Sequence, residues 1–253
     1  MKIAIVIPAR YASTRLPGKP LLRQTGKYLI QHVYEQASEA RRPSEVAVAT
    51  DDPRIRAAVE GFGGRVIMTG RHHRSGTDRV AEAARQLDAD IIINLQGDEP
   101  LVDPGALDHL ADMMIKDAAS QAATLAIPIT DVETWRDPNC VKVVCDQQGK
   151  ALYFSRSPIP WVRDNRPDFG AQPPVFLQHL GLYAYRRAFL QQLAATPPSP
   201  LEQLEKLEQL RILAMGQPIR VGVVREAAIG VDTFADYEHF VRTYRQQRRR
   251  VAA

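Results

Sequence analysis

Short apolar runs alternate with amphipathic stretches through the first half of this 253-residue chain, and that alternation limits its fold more than any other feature. Residues 2–8 predict a buried strand, and residues 28–40 a helix with Leu29, Ile30, Val33 and Ala37 on one face. Residues 45–50 predict a second strand, after which Asp51-Asp52-Pro53 supplies an Asp cap with proline just inside a helix start. Residues 65–68 predict a short strand, 78–87 a helix and 90–95 a strong strand. Repeated strand–helix–strand units need right-handed crossovers and a mostly parallel sheet, so the fold class is α/β and Rossmann-like.

The second half reads differently. Residues 122–129, 141–146, 151–155 and 179–185 are strand-like, and Gln147-Gln148-Gly149 marks a hairpin turn. Residues 166–174 and 197–200 are proline-rich loops, 201–215 a strongly periodic helix and 234–248 a terminal helix. No repeat or long linker demands a cut. The expectation is one domain, 1–253, carrying a mixed-sheet insertion.

Composition removes several classes. A hydrophobic content of 45% suits a substantial core. No apolar run approaches the roughly 20 residues that span a bilayer. The N-terminal run is ended by Pro8, Arg10 and Arg15 before it resembles a signal peptide, which leads to the expectation of a cytoplasmic protein without membrane partners. Cys140 and Cys145 are too few for a disulfide framework or a four-cysteine zinc site; their spacing puts them on opposite faces of a strand. The net charge of +4 is exceeded by the C-terminal Arg242, Arg245, Arg248, Arg249 and Arg250. These read as a solvated helix end suited to the macrodipole, so no nucleic-acid partner is expected.

The chemistry gathers after strands, where ligands of open α/β sheets bind. The loop Pro8-Ala9-Arg10-Tyr11-Ala12-Ser13-Thr14-Arg15-Leu16-Pro17-Gly18-Lys19-Pro20 places Arg10, Arg15 and Lys19 where a triphosphate would sit, against the bland alternative of a solvated basic loop. It is not a Walker A loop, because Pro20 follows Gly18-Lys19. Gly61-Phe62-Gly63-Gly64 closes a helix and so reads as a C-cap. Asn94-Leu95-Gln96-Gly97-Asp98-Glu99-Pro100 ends a strand in carboxylates that could hold a metal on phosphates, Asp98 first and Glu99 in reserve. Asp232, in Ile229-Gly230-Val231-Asp232-Thr233, reads equally as a ligand or as a cap for the terminal helix. In Arg71-His72-His73-Arg74-Ser75-Gly76-Thr77-Asp78-Arg79, adjacent histidines would not share a helix face, which argues against a metal site. The hydroxyls, glycine and amides there suit a base or phosphate, or simply a helix cap.

Taken in order, the blocks at 7–10, 13–20, 75–79 and 94–100 resemble the 3-deoxy-manno-octulosonate (Kdo) cytidylyltransferases, together with Tyr153-Phe154-Ser155-Arg156-Ser157-Pro158-Ile159-Pro160, His179-Leu180-Gly181-Leu182-Tyr183-Ala184-Tyr185-Arg186, Leu207-Glu208-Gln209-Leu210-Arg211 and Gly230-Val231-Asp232-Thr233. The resemblance spans nearly the whole chain and implies a nucleotide-diphospho-sugar transferase type of fold. Its CTP-binding part would lie mainly in 1–130, and its sugar-binding and dimerisation part in 131–228. It implies transfer of CMP from CTP to Kdo for lipopolysaccharide synthesis, with Mg²⁺ and a homodimer. Pro8, Ala9, Arg10, Arg15, Lys19, Ser75, Gly76 and Arg79 would bind CTP; Asp98 and Asp232 would hold the metal. Gln96, Arg156, His179, Tyr183, Glu208 and Gln209 would line the sugar pocket, His179 binding and not acting as a base. Lys19, Arg10 and Asp98 would carry the catalysis. Phe234 and Gln178 stand where proline and lysine are common in the family. The rival readings are an 8-amino-Kdo or sialic acid substrate, and a non-catalytic nucleotide-binding regulator.

Overall fold

A computed structural model describes residues 1–12, 16–73, 75–164, 166–226, 228 and 230–251, except the side chains of 247–251. The chain forms two compact units, Met1–Asp108 with Ala228–Ala253, and His109–Ala227.

In the first unit the elements are β1 (Ile3–Ala9), α1 (Leu29–Ser38), β2 (Glu45–Thr50), α2 (Pro53–Gly61), β3 (Val66–Met68), α3 (Gly76–Ala84) and β4 (Ile91–Asn94). All four strands are parallel, in the order β3-β2-β1-β4, with Ile5 opposite Val46 on one side and Ile93 on the other. Burial on both faces explains why β1 and β4 read as continuous apolar runs: Ile5, Val6, Ile7, Ile91, Ile92 and Ile93 are fully buried. The order reverses between β1 and β4, so the loops leaving their carboxyl ends flank one crevice. Asp52 caps α2 by accepting from the Arg54 amide, and Gly63, at φ 80°, closes its far end as the glycine cluster predicts.

Helix α4 (Pro104–Lys116) leads to β5 (Ala122–Pro128), α5 (Val132–Arg136), β6 (Lys142–Cys145), β7 (Ala151–Ser155), β8 (Leu177–Arg186), α6 (Arg187–Ala195), α7 (Pro200–Glu205), α8 (Gln209–Ala214) and β9 (Ile219–Val223). Strand β5 pairs antiparallel with β8 and parallel with β9, while β6 pairs antiparallel with β7 and β8. This is the expected mixed sheet, and Gly149 at φ 74° makes its hairpin turn. Cys140 lies before β6, so strand alternation does not relate it to Cys145; both thiols are free. Helix α9 (Phe234–Val251) belongs to the first unit, where Tyr237, Phe240 and Val241 pack with Leu16, Leu29 and Val231. Arg245 donates to the Gln24 carbonyl, while the side chains of Arg248, Arg249 and Arg250 lie outside the described residues.

The predicted helix over 201–215 is two helices. Lys206 takes a left-handed conformation at φ 55° and ends α7, and α8 starts afresh after Glu208. The break lets buried Arg211 pair with Glu202 and bond the Leu193 and Thr196 carbonyls. In a continuous helix, residues nine apart would stand about 13–14 Å apart along the axis. Helices α4, α5 and α6 and strand β9 were not marked by the sequence periodicity.

Candidate active site

The first-strand loop folds back on itself. Gly18 adopts φ 68°, its amide donates to the Tyr11 carbonyl at 3.2 Å, and a Cβ there would touch the Tyr11 ring at 3.4 Å. The guanidinium of Arg54 covers that ring at 3.3 Å from its centroid. Lys19 follows in a single 3₁₀ turn, Lys19–Leu21, with its side chain only 15% exposed. Its ammonium donates to Asp98 Oδ2 at 2.7 Å and to the Val231 carbonyl at 2.9 Å, and lies 3.4 Å from Asp232 Oδ1. Three segments far apart in sequence thereby meet at one cation. A backbone bond from the Val231 amide to the Asp98 carbonyl, 2.8 Å, fixes the two acidic segments side by side.

Asp232 does not cap α9. Thr233 does: its hydroxyl accepts from the Asp236 amide at 3.2 Å, and Asp236 Oδ2 accepts from the Thr233 amide at 2.8 Å. Glu99 is set apart from Asp98, because desolvation and then the Asp98 charge push its pKa up to about 8. At neutral pH it is mainly protonated, which leaves Asp98 as the better cation ligand of the two.

Pro8, Gly76 and Gln96 come together. A Cβ at Gly76 would lie 3.5 Å from Pro8 Cγ and 3.9 Å from Gln96 Oε1. Ser75 and Asp78 form a capping box on α3, so the capping alternative holds and the Ser75 oxygen accepts from the Asp78 amide at 3.1 Å. Arg79 is 1% exposed, with Nη2 2.8 Å from Asp51 Oδ1 and Nη1 donating to Thr69 Oγ1 at 2.5 Å. Desolvation lowers its pKa, Asp51 opposes that, and the positive Arg10 adds to the lowering, which places Arg10 in the same electrostatic neighbourhood. Ala9 ends β1, buried. Arg15, Ser13 and Thr14 lie outside the described residues.

The remaining predicted residues sit in the second unit. His179 contacts the Tyr183 ring at 5.3 Å and Phe154 edge-on at 5.1 Å, and its Nε2 lies 3.1 Å from Thr124 Oγ1. Part of the residue's surface stays accessible, yet desolvation of the ring pushes its pKa down to about 3. The imidazole is neutral and unsuited to act as a base that must hold a proton near pH 7. Burial raises Tyr183 far above the ordinary phenol value, with Tyr185 and Glu208 adding to the rise, so the Glu208 charge reaches both tyrosines. Gln209 Nε2 is buried without a hydrogen-bond partner among the described residues, whereas the Tyr183 hydroxyl is buried next to the Thr124 side chain. Unpartnered buried atoms are rare in folded proteins and mark places where water or ligand completes the bonding. Arg156 is fixed by Glu205: its amide donates to Oε2 at 2.9 Å and its Nε to the Glu205 carbonyl at 2.7 Å, while Nη1 donates to the Pro138 carbonyl at 2.9 Å.

Comparison with known proteins gives this arrangement its family. Residues 4–219 match the family model described as Cytidylyltransferase. The 3-deoxy-manno-octulosonate cytidylyltransferase of Geobacter metallireducens is 50% identical over 95% of this chain and 97% of its own length. That of Cellvibrio japonicus is 47% identical over 94% and 96%. The chain belongs to the 3-deoxy-manno-octulosonate cytidylyltransferase family. A solved CMP:2-keto-3-deoxy-manno-octonic acid synthetase complexed with CTP superposes with TM-score 0.91 at 48% identity, covering 98% of this chain and all of that one. The 4-diphosphocytidyl-2C-methyl-D-erythritol synthase of Anaerococcus prevotii, at 14% identity and TM-score 0.63 over 97% and 98%, shares the fold. The chain is therefore an enzyme of mixed α/β fold, as the motifs indicated.

Asp51 and Glu205 were not among the residues singled out from the sequence. The local sequence marks Asp51 only as part of a helix start; its place just after β2 is the signal that sets it opposite Arg79 on α3. Nothing in the local pattern of Glu205 distinguishes it from a solvated helix residue. His72 and His73 lie in the turn before α3 and not on a helix, so helix-face geometry does not separate them; their ring centroids are 4.5 Å apart.

Proposed function

We propose that the chain transfers CMP from CTP to Kdo, releasing pyrophosphate, and that the Lys19–Asp98–Asp232 cluster is its reacting centre. The observation that carries this reading is the ammonium of Lys19 held by both carboxylates at the crevice beyond β1 and β4. In the reaction, the anomeric hydroxyl of Kdo gives up its proton to solvent and its oxygen forms a bond to the α-phosphorus while the bond to the pyrophosphate oxygen breaks. Positioning and charge neutralisation suffice for such a transfer, and no side-chain nucleophile is required.

The two carboxylates offer hard oxygen donors of the kind Mg²⁺ takes, and they already converge on one cation. Bound there, Mg²⁺ would neutralise phosphate charge and acidify the attacking hydroxyl. Lys19, displaced toward the phosphates, and Arg10 would then stabilise the leaving pyrophosphate, with Arg15 in the same role. Pro8, Ala9, Ser75 and Gly76 would shape the nucleotide end, and Arg79 would brace it through Asp51 and Thr69. In the second unit, Arg156 would pair with the sugar carboxylate. Gln96, neutral His179, Tyr183, Glu208 and Gln209 would bond its hydroxyls, an assignment supported by the unmatched Gln209 Nε2.

The same reading includes a cytoplasmic homodimer serving lipopolysaccharide synthesis. CTP is a cytoplasmic nucleotide, and among the described residues no helix is long and apolar enough to cross a membrane. Leu152, Leu201 and Leu204 in the second unit are exposed apolar residues that a dimer would cover, which light scattering would test.

The decisive assay is pyrophosphate release from CTP, with and without Kdo and Mg²⁺. Release should require both, and Asp98→Asn should abolish it while leaving the circular dichroism spectrum unchanged. Release that persists in Asp98→Asn, or that occurs only with 8-amino-Kdo or a sialic acid, would overturn the metal role or the substrate respectively.

A further inference from the structure

We propose that His72, His73 and Glu82 form a binding site for a divalent transition-metal ion, zinc in particular, distinct from the Asp98–Asp232 pair. One ligand atom from each of the three side chains lies within 4.8 Å of the others. Nitrogen and oxygen ligands of tetrahedral zinc, bound at about 2.0–2.2 Å, stand about 3.4 Å from one another, so small side-chain rotations close the site.

The local structure builds this convergence. Glu82 comes from α3, and both its carboxylate oxygens accept from the Gly70 amide, at 3.2 and 3.1 Å, which orients them toward the turn. His73 Nε2 meets Glu82 Oε2 directly. The His72 ring lies against the backbone of Gly70, where a Cβ would come within 2.6 Å of Nδ1. Only a residue without a side chain at position 70 leaves room for that ring. The two imidazoles, 4.5 Å apart and tilted by 40°, therefore lie on one side of the turn although they are adjacent in sequence.

The donor set decides the class of ion. Two imidazoles and one carboxylate suit zinc, cobalt, nickel or copper, whereas Mg²⁺ prefers oxygen and keeps its water. Three protein ligands leave a fourth position for water or an outside ligand, and exposed His72 gives the ion a way in. An ion there would tie the turn after β3 to the helix that begins at Gly76.

The test uses the full-length, tag-free chain after chelator treatment, titrated with Zn²⁺ by calorimetry and with Co²⁺ by visible absorption. Excess Mg²⁺ is present throughout to occupy the Asp98–Asp232 pair. The expected result is one Zn²⁺ per chain and a tetrahedral-type Co²⁺ spectrum. Affinity should fall by at least about tenfold in His72→Ala, whose exposed side chain spares the fold. Binding should vanish in the double variant His73→Ala, Glu82→Gln, checked for folding by circular dichroism. Absence of stoichiometric binding by the natural chain would overturn the proposal. So would unchanged affinity in His72→Ala, which would place the ion elsewhere. Neither result depends on CMP transfer, so the site and the proposed activity fail separately.

Discussion

Lys142 is fully buried, and its ammonium donates to three backbone carbonyls: Asp137 at 2.8 Å, Cys140 at 2.5 Å and Arg156 at 2.6 Å. Replacing it by methionine keeps the aliphatic stem and removes all three donors. The Asp137 carbonyl retains the Cys140 amide as a partner, at 3.1 Å. The Cys140 and Arg156 carbonyls lose this donor, and each buried group so deprived costs about 1–3 kcal/mol. Against this, desolvation lowers the Lys142 pKa, the sign that burying the charge is itself unfavourable, and methionine relieves that cost. The net expectation is a loss of about 2–5 kcal/mol, which for a chain of this size lowers the melting temperature by roughly 5–15 °C. Urea titration gives the energy and differential scanning calorimetry the midpoint. Because one of the three carbonyls belongs to Arg156, the surviving folded enzyme should also show a raised KM for the sugar acid and an unchanged KM for CTP. A stability change under about 1 kcal/mol would refute the reasoning, since the burial cost would then cancel the three bonds.

Other perturbations have equally definite outcomes. Desolvation pushes His32, 4% exposed, down to about 4, with Glu35 opposing and Lys27 adding to the effect. The unfolded chain takes up this proton near pH 6.5 and the folded one does not, so stability present above that pH is lost on acidification. Between pH 7 and 4.5 the loss from this residue is about 2–3 kcal/mol, and His32→Gln should flatten the urea-measured pH slope by that amount. Gly97→Ala would bring a Cβ to 2.8 Å from the Pro8 carbonyl oxygen. It should cost about 1–3 kcal/mol by overpacking and reduce turnover by shifting the adjacent Asp98; retention of both would show that the backbone yields freely. Chelation with EDTA should stop pyrophosphate release, and added Mg²⁺ should restore it.

The parallel half of the fold was legible in the sequence because a doubly buried strand needs a continuous apolar run and a surface helix an apolar stripe. Residues 2–8, 28–40 and 90–95 carry those patterns; α1 and β4 lie within theirs, and β1 runs one residue past its own, to Ala9. Arg10, Lys19 and Asp98 were legible as candidate ligands because they follow such strands, and β1 and β4 lie side by side in the sheet. What only the tertiary structure decided were pairings between residues remote along the chain. By its local sequence Asp232 suits a cap or a ligand equally; in the structure Thr233 is the cap and Lys19 lies beside the Asp232 carboxylate. The break at Lys206 depends on Arg211 meeting Glu202, and the fixing of Arg156 depends on Glu205. Local sequence specifies backbone propensity and which face is apolar. It carries no record of which distant charge or carbonyl a buried polar group will meet, and that choice belongs to the packed chain.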